Sequence, residues 1–357
     1  MEKYSRWRDP GTGIQPFLPP VAPRMETSVV GTVANIVHYV FGPVQGLIKI
    51  MLVLVMSLLY FVSVNLLGSL LMPVPPLQKI WQRAWSFVCL RLILFFAGFM
   101  LIRTETTTVR RGRAKGAKKS QFQVKPGDII VANWTSYVDV IYLAFRFNPT
   151  FTQAIPSVNM VRVLSFWQAI RACVYPPPLT PEDAGISSDD PCLVSLKQLQ
   201  QSQDRPIVVF PEATTTNGRA LLKFASPLFE DFKVNDHHGG FHVMAFKYDY
   251  HYMSPTYTVG NQLIHLMCLC AQFSNTLRVK FLDDMDAPCA GSNNMNTNDL
   301  AQLAGATDLV GGLLGLSLGN MARLRKTNMD VSSKREFMDY YYSRNKKDHP
   351  VHSKKRR

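Results

Sequence analysis

The plainest pattern along the chain is Ile50–Met72, 23 residues without a charge and rich in Leu, Met and Val. Crossing a bilayer core takes roughly 20 apolar residues, so this run predicts a membrane helix rather than a soluble helix pair. Upstream, Val29–Ile48 is also uncharged, but Gly31, Gly42, Pro43 and Gly46 interrupt it, and it reads as a weaker, interfacial segment. The prolines of Pro73-Val74-Pro75-Pro76 predict a helix stop. A second apolar stretch, Ala84–Ile102, is broken only by Arg91. An Arg near mid-span costs about 2.5–3.5 kcal/mol on insertion scales. This arm is therefore expected to lie in the interface or to close a re-entrant hairpin with the first. A hairpin keeps both termini in the cytosol and a single crossing puts the N-terminus in the lumen; the pattern leaves both open.

Past residue 120 the pattern changes to short apolar runs alternating with helical periodicity, as in an α/β domain. Strands are predicted at Gln121–Val124, Ile129–Ala132, Phe151–Ile155, Ile207–Phe210, Phe241–Lys247 and Thr276–Phe281. Helices are predicted at Val138–Phe147, Val161–Ile170, Leu193–Gln203 and Arg335–Tyr342, with a loop from Pro176 to Asp190. Asn, Gly, Ala and Leu dominate 285–320, which reads as an insertion of low order with a short helix near 299–305. The chain thus divides into a polar N-terminal segment (1–28), a membrane anchor (29–103), an α/β domain (104–284), the insertion (285–320), and a C-terminal helix with a basic tail (321–357).

Charge narrows the class. The net charge of +14 resides almost wholly in 103–125 and 344–357. Such blocks suit anionic headgroups or nucleic acid, but the first holds only Phe122 among aromatics, which argues against a nucleic-acid reader. By the positive-inside tendency it stays cytosolic. The six cysteines form no C-x-x-C pair and have no histidine at ligand spacing. They read as reduced packing thiols in a cytosol-facing domain, with no metal site.

Two strand-to-polar junctions carry the candidate chemistry. The first runs from Ile129 through Asn133-Trp134-Thr135-Ser136-Tyr137-Val138-Asp139. The second is Val208-Val209-Phe210-Pro211-Glu212-Ala213-Thr214-Thr215-Thr216-Asn217-Gly218. Ligands collect at the carboxyl ends of strands in α/β sheets. The hydroxyls and amides of Thr214, Thr215, Thr216, Asn217 and Gly218 can receive a phosphate or an oxyanion, and Glu212 can bond a glycerol hydroxyl or order its loop.

Together the junctions resemble the N-H-x4-D and F-P-E-G-T signatures of the glycerolipid acyltransferase (PlsC-like) family. Asn133, Thr135, Ser136 and Asp139 fall on the first motif, and Phe210, Pro211, Glu212, Thr214, Asn217 and Gly218 on the second. Two positions depart: Trp134 stands where the family has its histidine, and Ala213 where it has glycine. The segments 1–19 and 329–337 further resemble the ends of a fungal, oleoyl-CoA-using branch that also lacks the histidine.

The resemblance implies a mixed β-sheet flanked by helices, behind an N-terminal helical membrane anchor. It also implies transfer of an acyl group from acyl-CoA, oleoyl-CoA in particular, to lysophosphatidic acid or a related lysophospholipid, giving phosphatidic acid. The setting would be the endoplasmic reticulum membrane and lipid droplets, with the catalytic domain facing the cytosol. No bound cofactor is expected; the partners are the lysophospholipid, acyl-CoA and membrane lipids. In the family the histidine is the general base, the aspartate orients it, and the glutamate loop binds the glycerophosphate. An indole accepts no hydrogen bond, so Trp134 cannot be a base. Losing a general base costs about 10²–10⁴ in rate. Asp139 with a raised pKa is the substitute expected here, rather than His237, His238, His242, His251 or His265. The other reading is a catalytically silent relative that binds lipid and scaffolds partners. Lys354-Lys355-Arg356-Arg357 matches a K-K-x-x retrieval signal, and the sequon Asn133-Trp134-Thr135 is expected to stay unmodified.

Overall fold

A computed structural model describes residues 4–22, 29–108, 122–187, 190–225, 227–232, 240–283, 286–287 and 308–345. The basic block from 109 to 121, the helix expected at 299–305, His237, His238 and the basic tail lie outside them.

The elements, in chain order, begin with α1 (Val29–Tyr60), which runs on through a π-helical stretch (Phe61–Leu67) and a last turn (Gly68–Leu70). Next come α2 (Pro75–Phe96), β1 (Leu101–Thr107), β2 (Ile129–Ala132), α3 (Tyr137–Phe147), β3 (Thr150–Ile155), β4 (Met160–Leu164) and α4 (Phe166–Ala172). They are followed by β5 (Leu193–Val194), α5 (Leu196–Ser202), β6 (Ile207–Val209), β7 (Ala220–Leu221), β8 (Phe241–Asp249), α6 (Gln262–Ala271) and β9 (Thr276–Leu282). The chain closes with α7 (Leu309–Ala322), β10 (Arg325–Lys326) and α8 (Val331–Arg344).

Eight strands form one mixed sheet in the order β1-β9-β8-β2-β6-β3-β4-β5. At its centre β2 runs parallel to both β6 and β8. All four residues of β2 and all three of β6 are buried, as expected of parallel strands covered on both faces. Helices cover the two faces. Leu90, Leu94, Val138, Tyr142 and Leu269 pack into one core, and Leu199, Val310, Leu314 and Leu318 into the other.

Several local expectations are corrected. No strand forms at 122–124; Phe122 instead lays its ring on Phe281, centroids 4.3 Å apart. The helix expected over Val161–Ile170 is a strand and then a helix. Asn159 takes left-handed φ (40°) and turns β4 back onto β3. Ser165 then caps α4 in a capping box with Gln168. Leu193 and Val194 pair with β4 before Ser195 starts α5. Pro75 opens α2 rather than only ending α1, because proline suits a first helical turn. The stretch 309–320, expected to be of low order, belongs to the buried helix α7.

Gly42 and Gly46 do not break α1. A Cβ at Gly42 would lie 3.2 Å from the Ala271 carbonyl oxygen, and one at Gly46 3.2 Å from Ala271 N and Cα. The glycines are the close-approach face for α6. Elsewhere on α1, His38 stacks on Tyr252 (3.6 Å, 10°) and Tyr60 packs on Phe166 (5.1 Å). These contacts lie about 33 Å apart at 1.5 Å per residue, so α1 runs along the α/β domain rather than away from it.

Candidate active site

The site follows from the register. Val131 of β2 pairs with Val209 of β6. The two parallel strands therefore end side by side, and their loops, 133–136 and 210–218, meet. Thr216 N–H donates to the Trp134 carbonyl (2.9 Å), and Trp134 stacks on Phe210 with centroids 4.5 Å apart and planes 15° from parallel. On the other side of β2, Asn133 mates its carboxamide to the backbone of Phe246 in β8, at 2.8 and 3.2 Å. With both amide atoms engaged and 1% exposure, Asn133 offers nothing to a glycosylating enzyme.

Asp139 sits in the first turn of α3, where Ser136 is the N-cap. Its Oδ2 accepts from Thr135 N (2.7 Å), Thr135 Oγ1 (2.9 Å) and Ser136 N (2.8 Å), and its Oδ1 accepts from the Tyr248 hydroxyl. Burial pushes its carboxyl up to about 6 against these donors. Four donors converge on the carboxylate, so a substrate hydroxyl has to displace one of them to reach it.

Glu212 is equally buried. Its Oε2 accepts from Leu222 N (2.9 Å), and the Trp134 backbone amide faces the same carboxyl. Its Oε1 is buried with no hydrogen-bond partner. Desolvation pushes Glu212 up to about 8, so at neutral pH it carries a proton. A buried carboxyl oxygen without a partner costs about 1–3 kcal/mol, and a ligand hydroxyl or amide would relieve that. Asp139 and Glu212 thus address successive amides of one turn, Trp134 to Ser136.

Thr214, Thr215, Thr216 and Asn217 are all buried. Asn217 Nδ2 donates to the carbonyls of Gln15 (2.7 Å) and Leu18 (3.0 Å), and its N–H to that of Pro16 (2.9 Å). The N-terminal segment therefore lies across the loop. Gly218 has φ 69°, and a Cβ there would meet Thr135 Cγ2 at 3.3 Å, so the second motif ends against the first. Ala213 also has positive φ (53°), a conformation that a glycine would adopt without a Cβ penalty.

Two residues of the neighbourhood were missed in the sequence. Lys334 of α8 is 1% exposed and donates to the carbonyls of Thr215 (3.2 Å) and Thr258 (2.8 Å). Burial lowers its pKa to about 7. A lysine on a polar, C-terminal helix gives no sign of this role. His265, set aside above as a substitute base, brings Nδ1 to 2.9 Å from the hydroxyl of Tyr137, next to the N-cap, while Nε2 faces the Ser254 carbonyl at 3.3 Å. Burial lowers it to about 4, so it is neutral, with Nε2 donating and Nδ1 accepting. His242 instead pairs with Asp128 (3.0 Å), away from the motifs.

Residues 113–232 match the profile of the acyltransferase family. The matched stretch takes in both motif loops, so the chain carries an acyltransferase-family domain. It is 27% identical over 236 residues to a Schizosaccharomyces pombe protein named as a lysophosphatidic acid:oleoyl-CoA acyltransferase, covering 66% of this chain and 70% of that one. It is 23% identical over 227 residues to lysophosphatidic acid:oleoyl-CoA acyltransferase 1 of Saccharomyces cerevisiae, covering 63% and 61%. Among solved structures, the 1-acyl-sn-glycerophosphate acyltransferase PlsC of Thermotoga maritima aligns with a TM-score of 0.31 and 14% identity, over 66% of this chain and 85% of that one. Within this domain, Trp134 and Ala213, the two positions at which the sequence departs from the expected signatures, are both buried.

Proposed function

We propose that this protein acylates lysophosphatidic acid, or a related lysophospholipid, from acyl-CoA to give phosphatidic acid at a cytosol-facing membrane of the endoplasmic reticulum or lipid droplet. The free, buried Oε1 of Glu212 carries the reading. A protonated Glu212 can donate to, and orient, an acceptor oxygen. Asp139 fixes the turn that presents it, and the loop Thr214–Gly218 lies where the acceptor phosphate would bind. Thioesters are activated, so positioning without a strong base still accelerates transfer. We further place α1 in the plane of the membrane. Standing upright, it would carry its partners Tyr252 and Phe166 to opposite faces of a roughly 30 Å hydrocarbon core.

A second reading, a silent lipid-binding relative, is favoured by Trp134 and by the burial of the motif side chains, with the N-terminal segment lying across Asn217. The test is turnover of labelled oleoyl-CoA with a panel of lyso-acceptors, using purified protein in lipid, wild type against Glu212→Ala and Asp139→Ala. Turnover lost in both variants supports the transferase. Turnover that persists in both marks a contaminant, and lipid binding without turnover supports the silent relative.

A further inference from the structure

The α/β domain has a membrane-facing surface of its own. Helix α6 carries no Asp, Glu, Lys or Arg. It exposes Leu263 (68%) and Ile264 (59%), with Met267 and Phe273 also exposed on or just beyond it. A helix of a soluble domain normally turns such residues inward. Here they adjoin α1, which packs on α6 through Gly42, Gly46 and Ala271. The apolar helix running from Gly31 to Leu70 is itself largely uncovered. Two helices in backbone contact lie at one depth, so where α1 meets hydrocarbon the outer face of α6 meets it too.

The ends of α6 point the same way. Helix termini leave backbone groups that water ordinarily satisfies, and in lipid they need partners from the protein. At the start, Asn261 Oδ1 accepts from Leu263 N (2.9 Å) and Ile264 N (3.4 Å). Beyond the end, Lys49 reaches from α1 to donate to the carbonyls of Gln272 (2.8 Å) and Phe273 (3.4 Å). The cation beside the longest apolar run is thus spent on carbonyls at the C-terminus of α6.

We propose that the Leu263–Ile264–Met267–Phe273 face of α6 inserts into the acyl-chain region of one leaflet. The opposite side of the same helix carries His265 to Tyr137, beside the Asp139 turn. Lipid contact and the motif turn therefore share one short, capped helix. As an interfacial helix, α6 should sit about 5–10 Å into the headgroup–acyl boundary.

The test is environmental and independent of turnover, so it separates this proposal from the acyltransferase reading on which its meaning rests. Ile264→Cys is made in a Cys192→Ser/Cys268→Ser/Cys289→Ser background, labelled with a polarity-sensitive fluorophore, and the full-length protein is reconstituted in phosphatidylcholine vesicles. Expected are a blue-shifted emission and a loss of intensity with lipids brominated near the headgroup end of the chain, larger than with bromines near the methyl end. A label on Gln198→Cys of α5, in the same background, should show neither. An aqueous, unquenched spectrum from the label at position 264 overturns the proposal. So does blue-shifted emission that bromolipids leave untouched, or quenching only by a second labelled copy, because protein then covers the face. Leu263→Glu/Ile264→Glu gives a second readout: reduced turnover on bilayer-embedded acceptor with turnover on a short-chain soluble acceptor retained. Equal loss on both would contradict it.

Discussion

Trp134 lies face to face with Phe210, one from each motif loop, with ring centroids 4.5 Å apart. The residue at the position expected to hold a histidine therefore also joins the two loops. Trp134 is 1% exposed, and its Nε1 finds no oxygen or nitrogen acceptor, facing only the Cys173 thiol. Trp134→Ala removes a large buried ring and should cost about 3–5 kcal/mol of stability. Trp134→Phe keeps a stacked ring and gives up only a weak N–H···S contact, so it should cost well under half of that. Urea denaturation of the reconstituted protein, followed by circular dichroism rather than tryptophan emission, checks both.

Asp139 and Tyr248 make the next case. The Tyr248 hydroxyl is the donor to Oδ1, and the other three donors all reach Oδ2. Tyr248→Phe leaves one buried carboxylate oxygen unpaired and should destabilise by about 1–3 kcal/mol. Asp139→Asn should cost less than Asp139→Ala. Its amide oxygen can take the turn's donors, while its NH2 donates to a Tyr248 hydroxyl that has rotated to accept. The order of denaturation midpoints across the three variants is the measurement.

Glu212 predicts a pH trend. In the fold its carboxyl is pushed up to about 8 from an ordinary value of 4.5. Between those values the unfolded chain has released this proton and the folded one has kept it. Its contribution to stability is therefore whole below pH 4.5 and falls as pH rises to 8. Glu212→Gln cannot ionise, so the melting temperature of the variant relative to wild type should climb across that window. A flat difference would mean that Glu212 is ionised in the folded state.

The centre of the sheet was legible because its strands are short, apolar and bounded by turn residues. Ile129–Ala132 and Phe241–Lys247 needed no tertiary information. The two motif loops were legible because their residue types are unusual together. What escaped depended on contacts distant in sequence. Gly42 and Gly46 read as breakers because the chain does not announce that Ala271 will press against them. Val161–Leu164 read as helix because apolar runs of that length fit either period, and only the left-handed Asn159 decides for a hairpin. Residues 309–320 read as low order because glycine-rich composition hides a helix that packing, not propensity, holds in place. Lys334 and His265 reach the site from elements lying after both motifs.

Lys334 gives the opposite trend from Glu212. Burial lowers it from 10.5 to about 7. Between those values the unfolded chain holds a proton that the folded chain has lost, so stability from this group rises with pH across the window and is lost as pH falls through 7. Lys334→Met removes the trend. The stability of wild type relative to the variant should therefore grow from pH 7 towards 10.5, and differential melting over that range tests it. Lys334→Met should also lower overall stability, because the Thr215 and Thr258 carbonyls lose their donor.

Ala213 offers a substitution that runs against the usual sign. Alanine to glycine ordinarily destabilises, by about 0.4–1 kcal/mol, because glycine has more freedom to lose on folding. At Ala213 the backbone holds φ 53°, where a Cβ costs roughly 1–2 kcal/mol. Relief of that strain should outweigh the entropy, leaving Ala213→Gly neutral to about 1 kcal/mol more stable. The residue follows Glu212 directly, so the same change also relaxes the peptide that aims the free Oε1. If Glu212 orients the acceptor, Ala213→Gly should leave KM for acyl-CoA unchanged and alter that for the lysophospholipid. A destabilised variant would show that packing around this Cβ, which lies in the core with Val209 and Leu221, stabilises by more than the strained φ costs.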